Sequence, residues 1–434
     1  MNAHGYLMLV ADLAVIVTVA RLLGLSARRL GQPTVIGEIV CGILLGPSLF
    51  GHGFTSGLFP AAVLPSLTML SNTGICVFMF LVGLEFDRGL LRGQGRIAAT
   101  VALSAILLPF TLGVLLALDL VHQYPTAHRL GFVLFLGTAM SVTAFPVLAR
   151  ILTDNKLIYT PVGGLALAAA AIGDVLAWSM LAVVTALVGS GRDHWRVLLI
   201  IPFALFLRLV VGPLAERVST RIRSAGQPTR LAAAGVALVL AAALLGVSEA
   251  TAWMGLHPIF GAFLLGIVLP REGSGSGSPD YRGVHAGGRI SVLILLPVFF
   301  VIAGLKVNLR GLDADTLAQL GLIMLVAVGG KCVGTYLGAR VSGVRRRYSA
   351  VLAVLINTRG LTELIVLTVG VQIGVLDQRL FTLLVVMAVV TTAMTGVLLR
   401  YVYPRERVRS DLEAYSRGAA GGLTGAALTA RGEG

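Results

Sequence analysis

Few residues in this chain could do chemistry, and those few lie inside long apolar runs. The sharpest is Asp174, in Ala169-Ala-Ala-Ile-Gly-Asp-Val-Leu-Ala-Trp178. It stands about 13 residues into the run 161–189, roughly 20 Å along a helix, which is mid-bilayer depth. An ionisable group in hydrocarbon is costly and is a functional candidate by default. A carboxylate there can hold a proton or a small cation, but hardly both at once. Desolvation penalises the bare anion, so the two ligands compete for one site. An exchanger needs no more than that exclusion. The plainer alternative is a structural aspartate satisfied by a neighbouring cation or a backbone amide.

Other charges share this setting. Lys331, in Val328-Gly-Gly-Lys-Cys-Val-Gly334, either pairs with Asp174 or titrates itself; a snorkelling lysine is the alternative. Its flanking glycines let other helices approach closely. Arg359 stays charged and carries five donors. It is expected to compensate the ends of a broken helix, or to pair with Glu363. Glu38 lines an ion access funnel or pairs with an arginine. Asp12, Arg21 and Arg208 read as interfacial or pairing residues, and His257, next to Pro258, as a satisfied core histidine. Ser141 and Thr143, with Thr138 in the same run, could offer oxygens to a cation. The bland reading is that such hydroxyls bond the preceding helical carbonyl. Pro146 favours the site role, because it frees carbonyls beside them. The sequence contains no phosphate loop, metal cluster or nucleophile–base pair, so neither an enzyme nor a resident cofactor is expected.

The elements that must position these residues are membrane helices. The chain is 56% hydrophobic and 12% charged, against about 25% charged for a soluble domain. Thirteen spans are expected: 7–25, 34–50, 62–84, 97–120, 130–151, 161–189, 197–215, 231–248, 255–270, 290–305, 314–339, 349–373 and 379–401. The second and ninth are short and contain glycine. The formal net charge is +14. The basic residues sit in short loops, so they orient a membrane protein and do not indicate a nucleic-acid partner. With the N-terminus outside and the C-terminus inside, every inner loop carries at least as many basic residues as either neighbouring outer one. Cys41, Cys76 and Cys332 have no disulfide or zinc spacing, and the first segment lacks the basic start of a signal peptide. Residues 273–278 read as a flexible linker. Residues 1–403 form the transport domain, and 404–434 a short cytoplasmic tail, expected to be disordered and too short for a nucleotide-binding domain.

An internal echo links Pro33-Thr-Val-Ile-Gly-Glu-Ile-Val-Cys-Gly-Ile-Leu-Leu-Gly-Pro47 with Pro258-Ile-Phe-Gly-Ala-Phe-Leu-Leu-Gly-Ile-Val-Leu-Pro270. Seven spans separate the two, so they cross in opposite directions, as in an inverted repeat. The same offset pairs span five, with Thr138-Ala-Met-Ser-Val-Thr-Ala-Phe-Pro146, and span twelve, with Asn357-Thr-Arg-Gly-Leu-Thr-Glu363. Each sets polar groups and a helix breaker near mid-membrane, where exposed carbonyls and half-helix ends can hold an ion.

At this point the chain resembles the second family of monovalent cation–proton antiporters, which includes plant cation/H⁺ exchangers and bacterial Na⁺/H⁺ antiporters. The resemblance runs from about residue 15 to 400. It rests on seven stretches in the family's order: 37–48, 80–86, 141–150, 174–178, 255–263, 297–306 and 357–364. It implies an all-α polytopic membrane fold with a core domain, two crossed discontinuous helices beside Asp174, a separate dimerisation domain and a homodimer. Lys331 matches the family's core-domain lysine, and the family typically moves by an elevator-like displacement of the core. Electrogenic members carry two adjacent aspartates and many electroneutral ones Asn-Asp, whereas this chain has Gly173-Asp174. One carboxylate swapping one proton for one Na⁺ or K⁺ predicts electroneutral exchange, unless Lys331 releases a second proton. A channel-like K⁺ efflux protein, a carrier of a small organic metabolite and a non-transporting sensor are the competing readings. The buried acid disfavours an anionic substrate.

Overall fold

The computed structural model describes residues 3–49, 51–85, 95–124, 126, 128–157, 160–188, 196, 199–224, 230–269, 282–310, 313–404, 406–408 and 410. Nearly all of its regular structure is helical. In chain order the helices are α1 (Ala3–Arg29), α2 (Thr34–Leu45), α3 (His52–Leu58), α4 (Leu64–Glu85), α5 (Gly95–Leu120) and α6 (Arg129–Ser141). Then come α7 (Phe145–Asp154), α8 (Pro161–Val188), α9 (Ile200–Phe206), a π-helical turn (Leu207–Val211), α10 (Gly212–Ser224) and α11 (Arg230–Trp253). The remainder are α12 (Pro258–Val268), α13 (Arg282–Leu305), α14 (Ala314–Val341), α15 (Arg346–Ile356), α16 (Leu361–Gln372) and α17 (Gln378–Val402).

Among the described residues, 8 helices are long and apolar enough to cross a bilayer, or 9 if α15 and α16, bent by 44° at their break, form one span. The second, ninth and tenth expected spans are met by shorter apolar helices: α2, α12 and Ser291–Leu305. The seventh is met by α9, the π-turn and α10. Thus the expected thirteen includes segments that do not cross on length alone. The two echoing segments both fold as short helices that start at their proline: Pro33 is the N-cap of α2, and Pro258 opens α12. The expected linker lies outside the described residues, as does most of the tail.

The chain divides into two compact units. The first comprises Met1–Thr18, Thr55–Phe86 and Thr185–Ile302; the second comprises Val19–Phe54, Asp87–Val184 and Ala303–Gly434. In the first unit, α4 meets α12 backbone to backbone, because a Cβ on Gly83 or Gly266 would collide with the facing main chain. The second unit carries every expected site residue. Its core is built from Val101 and Ala105 of α5, Leu148 and Leu152 of α7, Leu165 and Ala166 of α8, Leu352 and Leu355 of α15, and Leu399 of α17. α14 lies on α5 along Gly330, Gly334 and Gly338. A Cβ at Gly334 would strike the Ser104 carbonyl. This close approach draws Lys331, one residue past Gly330, fully inside the unit.

Candidate functional site

The site is assembled where two helices of the second unit break. α6 stops at Ser141, the chain runs extended through Val142 and Ala144, and α7 begins at Phe145 with Pro146 in its first turn. Pro146 lacks the N–H that would bond the Val142 carbonyl four residues back, so α6 cannot run on through it, and proline is tolerated in the first turn of the helix that follows. α15 stops at Ile356 and α16 restarts at Leu361, after Gly360 at φ 149°. That backbone geometry is one that glycine adopts without a Cβ penalty.

The two breaks meet. The Ala144 amide donates to the Thr358 carbonyl at 3.1 Å. The Thr143 hydroxyl donates to the Ile356 carbonyl at 3.4 Å, and the Thr362 hydroxyl to the Thr143 carbonyl at 3.3 Å. The last carbonyls of a helix have no intrahelical partner and carry the negative end of its dipole. At the end of α6 they are taken by two fixed cations. Arg359 donates to the carbonyls of Ala139 at 2.9 Å and Met140 at 2.6 Å. Lys331 donates to the carbonyls of Ser141 and, at 2.9 Å, Val142. Arg359 also holds Glu363 at 2.8 Å, with both side chains fully buried. Thr392 of α17 bridges the Arg359 main chain, accepting from its amide at 3.1 Å and donating to its carbonyl at 2.6 Å.

Asp174, on α8, is 3% exposed. The backbone amide of Phe145, at the start of α7, is directed at its carboxyl. The N-terminus of a helix favours an anion through both its free N–H groups and its dipole. The Asp174 Oδ1 atom has no hydrogen-bond partner. Lys331 acts on Asp174 through space, but its ammonium is committed to the α6 carbonyls; among the described residues the two form no ion pair. Beside Asp174, a Cβ added to Gly173 would meet nothing within 4 Å. The arrangement is therefore a single carboxyl, supported by one helix start, with an open oxygen and two immobile positive charges behind it.

The structure brings Asp174, Lys331, Arg359 and Glu363 into one buried cluster with the break residues Ser141 and Thr143. The hydroxyls follow the plainer expectation for their protons: Thr138 donates to the Leu134 carbonyl and Ser141 to the Thr138 carbonyl, both at 2.8 Å. Their oxygens keep lone pairs. The expectation that Pro146 leaves carbonyls free next to them is corrected, because Lys331 and Arg359 occupy those carbonyls. Glu38 lies on α2, buried, with Arg21 at 3.8 Å and Arg150 in electrostatic range. His257 caps α12, its ring accepting from the Ile259 amide at 3.5 Å. Sequence reasoning gave no role to Asn357, which is 1% exposed and whose Oδ1 lacks a partner. It missed Thr392 as well. Asn357 was visible as part of a polar run; Thr392 is one threonine in an apolar helix and gives no signal until α17 packs.

The family profile described as "Sodium/hydrogen exchanger, transmembrane" matches residues 14–403. The Na(+)/H(+) antiporter NhaS4 of Synechocystis is 36% identical over 411 residues, covering 93% of this chain and 99% of that protein. Cation/H(+) antiporter 17 of Arabidopsis thaliana is 38% identical over 410 residues, and K(+)/H(+) antiporter 1 of Saccharomyces cerevisiae 32% over 434. The matches cover 92% and 94% of this chain, but only 49% and 48% of those relatives. The chain thus spans about half their length. In fold it is similar to the sodium proton antiporter MjNhaP1 of Methanocaldococcus jannaschii, with a TM-score of 0.68 at 15% identity, covering 94% of this chain and 99% of that one.

Proposed function

Because this chain belongs to the sodium/hydrogen exchanger family of multi-pass integral membrane proteins, we propose that it exchanges a monovalent cation, Na⁺ or K⁺, for H⁺ by alternating access at Asp174. The observation that carries this reading is the Asp174 carboxyl: buried, faced by the Phe145 amide, and left with an unbonded oxygen. A proton or a dehydrated alkali cation satisfies that oxygen, and either one neutralises the same single charge. The four buried charges of the cluster, Asp174, Glu363, Lys331 and Arg359, sum to zero when all are ionised. Proton and cation then add the same charge to the same background, so exchange is electroneutral and one for one. In this reading Lys331 keeps its charge, because an ammonium holds the two carbonyls at the α6 break more strongly than a neutral amine would. Ser141, Thr143 and Thr138 lend hydroxyl oxygens, and Arg359, Glu363 and Glu38 shape the field.

In this reading the second unit is the core domain and the first carries the dimerisation surface of a homodimer. The protein lies in the plasma membrane, N-terminus outside and C-terminus inside. It is a carrier, with no catalytic residue and no cofactor.

The test is proton flux in proteoliposomes under imposed Na⁺, K⁺ and Li⁺ gradients, for the wild type and Asp174→Asn. Exchange is expected in the former and not in the latter. Undiminished exchange by Asp174→Asn would remove the aspartate from its role, and a rate that follows the membrane potential would refute electroneutrality.

A further inference from the structure

We propose that Asn357 is the specificity-determining ligand of the transported cation, its side-chain amide oxygen supplying the neutral partner to the Asp174 carboxylate. The inference rests on Asp174 being the exchange site.

Position comes first. Asn357 is bracketed by the two hydrogen bonds that join the breaks: Ile356 accepts from the Thr143 hydroxyl and Thr358 from the Ala144 amide. The next residue along that strand is Phe145, whose amide faces Asp174. Asn357 therefore belongs to the same crossing as the carboxyl, reached from the opposite broken helix. Its backbone is held on both sides by bonds of 3.4 and 3.1 Å, so the side chain is presented from a fixed base.

Chemistry comes second. A buried amide oxygen without a partner is a costly feature, and native interiors satisfy nearly all such groups. Asn357 is 1% exposed and its Oδ1 has no partner, as is true of Asp174 Oδ1. The usual source of neutral oxygens at a break, the carbonyl end of the preceding half-helix, is closed here: Arg359 and Lys331 take the carbonyls of Ala139, Met140, Ser141 and Val142. The Arg359 carbonyl is taken by Thr392. A hard monovalent cation prefers oxygen ligands and cannot use the guanidinium or ammonium. One anionic and one neutral oxygen at the crossing supply the start of its shell, and water completes it. A neutral ligand adds no charge, so the balance behind electroneutral exchange is kept. It does add distance discrimination, which Gly173, with no side chain, cannot provide.

Asn357→Ala, Asn357→Ser and Asn357→Asp, each in the full chain reconstituted in liposomes, test the proposal. The readout is the apparent KM for Na⁺, K⁺ and Li⁺ beside the maximal rate. Asn357→Ala is expected to raise the KM of the preferred cation roughly tenfold and to compress the ratio among the three cations. Asn357→Ser, which keeps a shorter oxygen donor, should shift the order of preference; Asn357→Asp adds a second carboxylate and should make the rate respond to membrane potential. A purely structural asparagine would lower protein yield and rate for all three cations alike, leaving their ratio intact, and that result overturns the proposal. Should a variant lose transport, its thermal stabilisation by each cation in detergent is measured instead; an unchanged cation order there also overturns it. Asp174→Asn run in parallel separates the two failures. If it abolishes exchange while the Asn357 variants keep wild-type ratios, this inference alone falls. If it leaves exchange intact, the reading of the site falls.

Discussion

Arg359→Met is the perturbation with the largest calculable consequence. Arg359 is fully buried and donates to Glu363, Ala139 and Met140 at 2.8, 2.9 and 2.6 Å. Removing it strands two helix-end carbonyls and leaves Glu363 without its counter-ion. Breaking a buried pair by deleting one partner costs about 3–5 kcal/mol. The orphaned carbonyls alone would cost roughly 1–3 kcal/mol each, so the lower figure already assumes partial relaxation. Unfolding entropy of roughly 2.1 cal/mol/K per residue over 434 residues makes 1 kcal/mol worth about 1 °C. The variant should therefore melt about 3–5 °C below wild type. Glu363→Met should also be destabilising. The double variant should melt well above the sum of the two losses, because no unpaired charge remains, yet still below wild type, because the carbonyls stay orphaned. The assay is a melting curve in detergent followed by tryptophan emission, on all four proteins. A single variant within about a degree of wild type, or strictly additive losses, would refute the argument that the pair and the α6 end form one unit.

Other outcomes follow from the same structure. Gly173→Ala should fold normally, because nothing lies within 4 Å of the added Cβ; Gly173→Asp adds a second carboxylate and should make exchange voltage-dependent, which a flux assay under an imposed potential reads. Glu38→Gln loses an ion pair of 3.8 Å between a buried carboxylate and a partly exposed Arg21, but the neutral amide also avoids the carboxylate's desolvation cost, so stability should change little and exchange should persist; abolished exchange would give Glu38 more than a field-shaping role. At the start of α14, the Thr316 hydroxyl and amide hold the Asp313 carboxyl below its usual range, with Arg379 at 2.9 Å assisting. A depressed acid stabilises the fold above its unfolded value of about 3.9 and loses that contribution as pH falls through the folded one. Melting temperature should drop on acidification below about pH 4, and Asp313→Asn should flatten that drop.

How much of this was legible depended on whether the cause was local. The breaks were readable, because Pro146 and Gly360 act on their own backbone, and the polar run at 357–363 marked the second break without any knowledge of packing. Arg359 with Glu363, four residues apart across the start of α16, was readable for the same reason. The destination of Lys331 was not: it reaches carbonyls almost two hundred residues away in sequence, and only the close passage of glycine-lined α14 over α5 brings it there. Sequence offered Asp174 as its partner, since opposite charges in hydrocarbon attract. In the fold its ammonium donates instead to the two carbonyls at the α6 break, Ser141 and Val142. The π-turn at Leu207–Val211 runs into Gly212-Pro213, whose proline has no N–H for the Leu209 carbonyl; that local signal was not used.

In the proposed mechanism, the capture of Lys331 would explain how exchange could run on one acid. A lysine paired directly with Asp174 would have to be displaced, or lose its proton, each time a cation arrived, and that proton would enter the stoichiometry. Held by two carbonyls, it contributes a constant positive field instead. The same field, added to that of Arg359, opposes any cation at the break, so binding there depends on Asp174 being ionised and on neutral oxygens placed away from the α6 end. A chain that kept an acid beside Asp174 could tolerate weaker placement of those oxygens. With glycine at position 173, the proposed site gains no oxygen from that neighbour, and a neutral side-chain oxygen beyond the hydroxyls of α6 would come from across the crossing, where Asn357 stands between the two joining hydrogen bonds.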